Sequence, residues 1–147
     1  MLIKNIATII TDRADEKQFD ESNYISTENM LANFGGIASP TSLPASAVTF
    51  FKIGDVLISN IRPYFKKIWQ ARFDGGCSTD VICLRTKSTN CLPNYLFYLL
   101  NSDKFIDTFV ASSKGTKMPR GDKQALLEYN FDLPSLADQQ HIVNTSC

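Results

Sequence analysis

The spacing of apolar and polar positions changes character part-way along the chain. Ile3 to Ile10 (IKNIATII) is apolar and β-branched and gives way to a polar, acidic stretch from Asp12 to Ser22, which predicts a buried strand or short helix followed by a surface loop. Tyr24-Ile25-Ser26 predicts a second short strand and Asn33-Phe34-Gly35-Gly36 a turn or bulge, after which Pro40 and Pro44 keep the path irregular. VTFFKIGDVLISNI, starting at Val48, holds two apolar runs around Gly54-Asp55 and predicts strand, tight turn, strand. Ile68 to Phe73 alternates as a half-buried strand should, with Trp69 in the core; Asp74-Gly75-Gly76 reads as a turn, and Ser78 to Arg85 as the last strand.

From there the period becomes helical. Pro93 to Leu100 opens with proline in the first turn and is apolar on most faces, so it predicts a largely buried helix. Ser102-Asp103 caps a second helix running to Ala111, with Phe105, Ile106 and Phe109 facing the core. Residues 112–121 (SSKGTKMPRG) read as loop, Asp122 caps a short helix to Tyr129, and Phe131 to Pro134 is extended. Ser135 with Asp138 opens a final helix from Leu136 to Asn144. Strands followed by helices make an α+β (mixed α/β) fold: one compact domain, a twisted β-sheet with a helical cluster and protruding basic loops.

Composition narrows the class. At 147 residues, 44% hydrophobic and 20% charged, the chain is one globular domain rather than a disordered or membrane-spanning one. No run approaches the ~18 apolar residues of a bilayer span, and Met1 to Ile10 is too short for a signal peptide, so a cytoplasmic location is expected. Cys77, Cys83, Cys91 and Cys147 with the single His141 lack zinc-site spacing, and neither GxGxxG nor a Walker A motif follows a predicted strand. No metal and no cofactor is expected. Cys77, His141 and Asp80 supply the residue types of a cysteine nucleophile, but without hydrolase signatures, and packed, reduced thiols are the simpler reading.

Charge sums to zero yet is unevenly placed: net −3 over residues 1–49, +6 over 50–123 and −3 over 124–147. The acidic share includes Asp12, Asp15, Glu16, Asp20 and Glu21, a solvated run, whereas the central excess gathers in two loops. Arg62-Pro63-Tyr64-Phe65-Lys66-Lys67 combines three cations with two rings. Lys114-Gly115-Thr116-Lys117-Met118-Pro119-Arg120-Gly121, with Lys123 beyond, combines cations with glycines that let a backbone approach phosphate. Lys66, Lys67, Lys114 and Lys117 suit phosphates; Arg62, Tyr64, Thr116 and Arg120 suit base edges in a major groove. Tyr24 to Asn29 offers a further polar contact or, more simply, strand and turn packing.

Several blocks in order carry a family resemblance: Asn23 to Met30 followed by Gly35-Gly36-Ile37, Gly54 to Ser59 with Ile61-Arg62-Pro63, Tyr95 to Leu100, Gly115 with Met118-Pro119, and Leu133-Pro134-Ser135-Leu136-Ala137-Asp138-Gln139-Gln140. In order and spacing the chain resembles a target recognition domain of the DNA specificity (S) subunit of type I restriction-modification systems. The resemblance implies a non-catalytic module, residues 1–134, that reads one half of a split double-stranded DNA sequence for separate modification (methyltransferase) and restriction subunits. It also implies self-association or pairing with a second recognition domain. Residues 135–147 correspond to the start of a spacer helix that stops at Cys147, too short for a coiled coil. An Asn/Asp-Pro-Pro-aromatic methyltransferase tetrapeptide does not occur. The rival reading is a truncated interaction module that occupies a modification or S subunit without productive DNA binding.

Overall fold

The computed structural model describes residues 1–38, 48–87, 89–115 and 117–145, so the expectations on Pro40, Pro44, Thr116 and Cys147 fall outside the described residues. The strands are β1 (Ala7–Ile9), β2 (Arg13–Ala14), β3 (Tyr24–Ile25), β4 (Val48–Phe51), β5 (Val56–Ser59), β6 (Ile68–Gln70), β7 (Gly75–Cys77) and β8 (Val81–Thr86). Among the described residues they form two four-stranded sheets, ordered β1-β8-β5-β6 and β2-β4-β7-β3. The helices are α1 (Pro93–Leu100), α2 (Asp103–Ala111), α3 (Lys123–Leu127) and α4 (Leu136–Thr145).

The first sheet is covered on both faces, which is why β5 reads as an unbroken apolar run. Because side chains alternate, Val56, Ile58, Ile68, Ile82 and Leu84 join the helices in one core, with Leu96, Leu100, Phe105 and Phe109. Leu57, Trp69, Val81 and Cys83 meet Ile25, Phe51 and Cys77 of the second sheet in another. Phe105 and Phe109 are fully enclosed, each contributing about 1.5–3 kcal/mol through burial.

Two expectations about this region need correction. β4 and β5 flank a turn but are not a hairpin: β4 pairs with β2 and β7, while β5 pairs with β6 and β8. Gly54, at φ 93°, turns the chain from one sheet into the other. Asp55 is more than a turn residue, since its carboxylate is buried and accepts Arg85 Nε at 2.8 Å and Nη2 at 2.7 Å. Gly75-Gly76 is strand rather than turn. β7 runs parallel to β3 and antiparallel to β4, and a Cβ at Gly75 would collide with the Asn23 carbonyl and the Phe51 ring. Glycine here permits close strand approach, the same composition that marks turns elsewhere.

The helices follow their sequence signals. Ser102 Oγ accepts Phe105 N–H at 3.3 Å, Asp122 Oδ1 accepts Gln124 N–H at 2.9 Å, and Ser135 Oγ accepts Asp138 N–H at 3.2 Å. α4 is docked rather than free-standing. Gln139, fully buried, accepts Leu92 N–H through Oε1 at 2.9 Å and donates Nε2 to the Asn90 and Pro134 carbonyls at 2.7 and 2.9 Å.

Candidate nucleic-acid interface

The two basic loops meet. Arg62 N–H donates to the Pro119 carbonyl at 2.8 Å, and Ile61 and Arg120 form an antiparallel bridge. Lys114 and Arg120 exchange main-chain hydrogen bonds at 2.9 and 3.0 Å, closing the second loop on itself. Segments remote in sequence thus become one ribbon at the end of β5.

The first loop is built around a single 3₁₀ turn, Pro63–Phe65, with Pro63 pre-set for its first position. Left-handed residues bound it on both sides: Arg62 at φ 48° and Lys66 at φ 57°. Such conformations are costly away from glycine and persist where surroundings over-determine them. Here Asn33 N–H and Phe34 N–H donate to the carbonyls of Phe65 and Lys66, both at 2.8 Å. Lys66 Nζ pairs with Asp103 at 2.6 Å and lies 5.6 Å from the Phe34 ring centroid. The carboxylate beside it raises the Lys66 pKa, keeping the ammonium charged.

The cations consequently fall into three groups. Lys66 is held by Asp103, and Lys67 Nζ donates to the Thr27 carbonyl at 3.0 Å while lying 5.8 Å from the Phe65 ring. Both therefore anchor the platform. Arg62, half-buried, and Lys114, Lys117 and Lys123, all exposed, make no ion pair among the described residues. Arg120 is exposed and reaches Asp80 Oδ1 at 3.4 Å. Tyr64 and Phe65 are exposed by 47% and 40%, large areas for such rings on a fixed turn. Thr116 lies outside the described residues.

Tyr24 to Asn29 serves mainly as packing. Tyr24, Ile25, Ser26 and Asn29 are buried, and Asn29 Oδ1 accepts both N–H and Oγ–H of Ser26 at 3.0 and 2.8 Å. Thr27 still approaches the ribbon's root, its hydroxyl 3.0 Å from Ser59 Oγ. Sequence reasoning missed Asp80 as a neighbour of Arg120. Only the β5–β8 register could have revealed it, since Ser59 opposes Val81 and Asn60 N–H bonds the Asp80 carbonyl.

The cysteine-nucleophile reading does not survive. Cys77 is wholly enclosed, and burial pushes its thiol up to about 12, so it stays protonated at neutral pH. Asp80 turns to Arg120, and His141 is exposed on α4, with no hydrogen bond joining the three among the described residues.

Comparison with known proteins supplies the family. The model of the type I restriction modification DNA specificity domain matches residues 2–145. The chain belongs to this family. A specificity-domain relative, the type I restriction enzyme EcoDI specificity subunit of Escherichia coli, is 32% identical over 98 residues, 67% of this chain and 21% of that protein. The HsdS subunit from Thermoanaerobacter tengcongensis superposes with a TM-score of 0.78 at 25% identity, covering 98% of this chain and 40% of that one. A solved structure concerning complex assembly and conformational transition of the type I R-M system gives 0.80 at 27% identity, with the same coverages. The chain therefore spans about a fifth of the curated relative and two fifths of each of the two solved chains. These specificity-domain likenesses bear out the mixed α/β single-domain fold. Among the described residues no helix is long and apolar enough to cross a membrane.

Proposed function

We propose that this chain reads one half of a split duplex DNA sequence as the specificity module of a type I restriction-modification system, with residues 1–134 as recognition domain and 135–147 as the start of a spacer helix. The observation that carries the reading is the main-chain pairing of the two basic loops, which supports a single cationic ribbon in a chain of zero net charge. Local field rather than total charge governs attraction to phosphate.

In this reading Arg62, Lys114, Lys117 and Lys123 neutralise phosphates and fix register, since none spends its charge on an ion pair among the described residues. Arg120 addresses a guanine edge, which its planar fork matches bidentately, and Tyr64 and Thr116 contact neighbouring bases. Lys66 and Lys67 act at one remove, by holding the turn. The module carries no chemistry of its own: modification and restriction subunits of the same system act where it binds, and a second recognition domain supplies the other half-site.

Selection of bound duplexes from a random pool by the full chain tests the reading. A shared half-site is expected. With about four phosphates neutralised, log affinity falls against log salt with a slope near −3.6. Co-purification with a modification subunit together with no enrichment and a flat salt response would instead identify an interaction-only module.

A further inference from the structure

Tyr64 and Phe65 are the least explained feature of the ribbon. Their ring centroids lie 4.8 Å apart at an interplanar angle of 57°, and both rings remain well exposed. The backbone beneath them is secured from three directions. Asn33 and Phe34 donate to Phe65 and Lys66, Pro119 accepts from Arg62, and Asp103 on α2 holds the Lys66 ammonium. A chain that locks a strained turn this firmly and leaves its two aromatic side chains outside presents those rings in a fixed pose. Burial would otherwise reward folding them inward. Arg62, Lys66 and Lys67 border the rings along the chain, Lys66 being paired with Asp103, and the Arg62–Pro119 hydrogen bond joins this turn to the segment that carries Arg120. An aromatic pair that follows Arg62, itself in no ion pair among the described residues, matches stacked bases between phosphates better than an apolar protein surface, which would leave that guanidinium without a counter-charge on desolvation.

We infer that the Tyr64–Phe65 pair is a wedge that inserts at a base step beside the pairs read by Arg120, unstacks it and bends the duplex. The inference rests on the DNA-reading function proposed above and deepens it. The cost of unstacking depends on sequence and is lowest at pyrimidine–purine steps. The wedge therefore selects a TA or CA/TG step at that position without hydrogen-bonding to it. Phe65, which has no hydrogen-bonding side chain, becomes a specificity residue.

The test uses the full chain and the duplex enriched from the random pool, with 2-aminopurine placed successively through the site and a fluorophore pair on the duplex ends. In the wild-type complex, 2-aminopurine emission rises at one step and end-to-end transfer reports a bend of about 20–90°. Tyr64→Ala/Phe65→Ala abolishes both signals. Because unstacking cost and stacking gain are of similar size, affinity changes by about tenfold or less. Tyr64→Phe retains the bend, and Lys117→Ala retains it in whatever complex forms. Thermal melting coincident with wild type shows that the variants are folded.

A wild-type complex in which no position brightens overturns the wedge while leaving DNA reading intact. Brightening that persists in the double variant overturns it by placing the distortion elsewhere. Unchanged DNA behaviour with loss of modification-subunit binding identifies the pair as a protein contact and overturns it as well. Failure to enrich any duplex removes the DNA-reading function and the wedge together.

Discussion

Arg120 directs Nη2 to Asp80 Oδ1 at 3.4 Å, and the main-chain carbonyl of the same Asp80 accepts Asn60 N–H at 2.8 Å. A cation on one loop is thereby aligned by an acid whose backbone is fixed to the end of β5. Both side chains are about half exposed, so the pair adds little stability. Its effect is on direction.

Arg120→Ala is therefore expected to cost about 1–3 kcal/mol on the preferred duplex and to relax selection at one position, whereas Lys117→Ala weakens all duplexes alike. In the proposed complex Asp80→Asn removes a negative charge beside Arg120 and loosens its side chain, so affinity for random duplex is expected to rise and discrimination to fall. Titrations of each variant against the selected and a scrambled duplex separate these outcomes. Equal losses on both duplexes for Arg120→Ala would remove it from base reading.

Gln139 ties α4 to the loop before α1 with one hydrogen bond accepted from Leu92 and one donated to Asn90, and donates a second to Pro134 just before its own helix. Gln139→Ala removes the acceptor of the Leu92 N–H and a donor to the Asn90 and Pro134 carbonyls in a partly buried site, and a loss of about 2–4 kcal/mol is expected in urea unfolding. Gln139→Glu retains the acceptor for Leu92, but only its protonated form can donate to a carbonyl. Its folded pKa is thus raised. That variant should be most stable below the unfolded glutamate pKa of about 4.3 and lose stability as pH rises through the folded value. A variant whose stability improves from acid to neutral pH would contradict the assigned hydrogen bonds.

Arg85→Ala strands the Asp55 carboxylate, which is 3% exposed, with Lys52 N–H and the Cys83 thiol as its remaining donors. Loss of one partner of a buried pair costs about 3–5 kcal/mol; because solvent reaches Arg85, about 2–4 kcal/mol is expected here. Arg85→Lys forfeits the two-pronged contact and recovers only part. Chemical denaturation of the pair of variants measures both. A loss below about 0.5 kcal/mol would show the ion pair to be incidental to stability.

The thiols of Cys77 and Cys91 are pushed up to about 12 and about 11 by burial, and Cys83 is raised further by burial and the nearby Asp55 carboxylate. A thiol with a raised folded pKa contributes stability that is complete below its unfolded pKa of about 8.5 and declines as pH rises towards the folded value. Stability should thus fall from about pH 8.5 upward. At neutral pH these three cysteines should react with a thiol probe no faster than the protein opens. Prompt labelling of Cys77 in the native state would restore the nucleophile reading.

Local signals were legible wherever one principle dominated. Pro93, Ser102 and Asp122 mark helix starts through caps and ring geometry, and all three helices begin there. Pairing was harder to read. The Gly54-Asp55 turn has the composition of a hairpin, but β4 and β5 join different sheets because their partners, β7 and β8, are chosen by tertiary packing. Gly75-Gly76 misled for a related reason: close approach and tight turning both demand glycine, and only the neighbours Asn23 and Phe51 tell them apart. At the ribbon, composition identified the two loops, but the partition of cations depended on partners distant in sequence, Asp103 for Lys66 and Thr27 for Lys67.

The stitch between Arg62 and Pro119 is made of peptide groups alone, as is the one between Lys114 and Arg120. Proline apart, a side chain leaves the N–H and C=O of its peptide in place. In the proposed reading, the base-facing positions 64 and 120 can therefore be rewritten while the seam stays closed, which would give the lineage a way to acquire new addresses without rebuilding the reader.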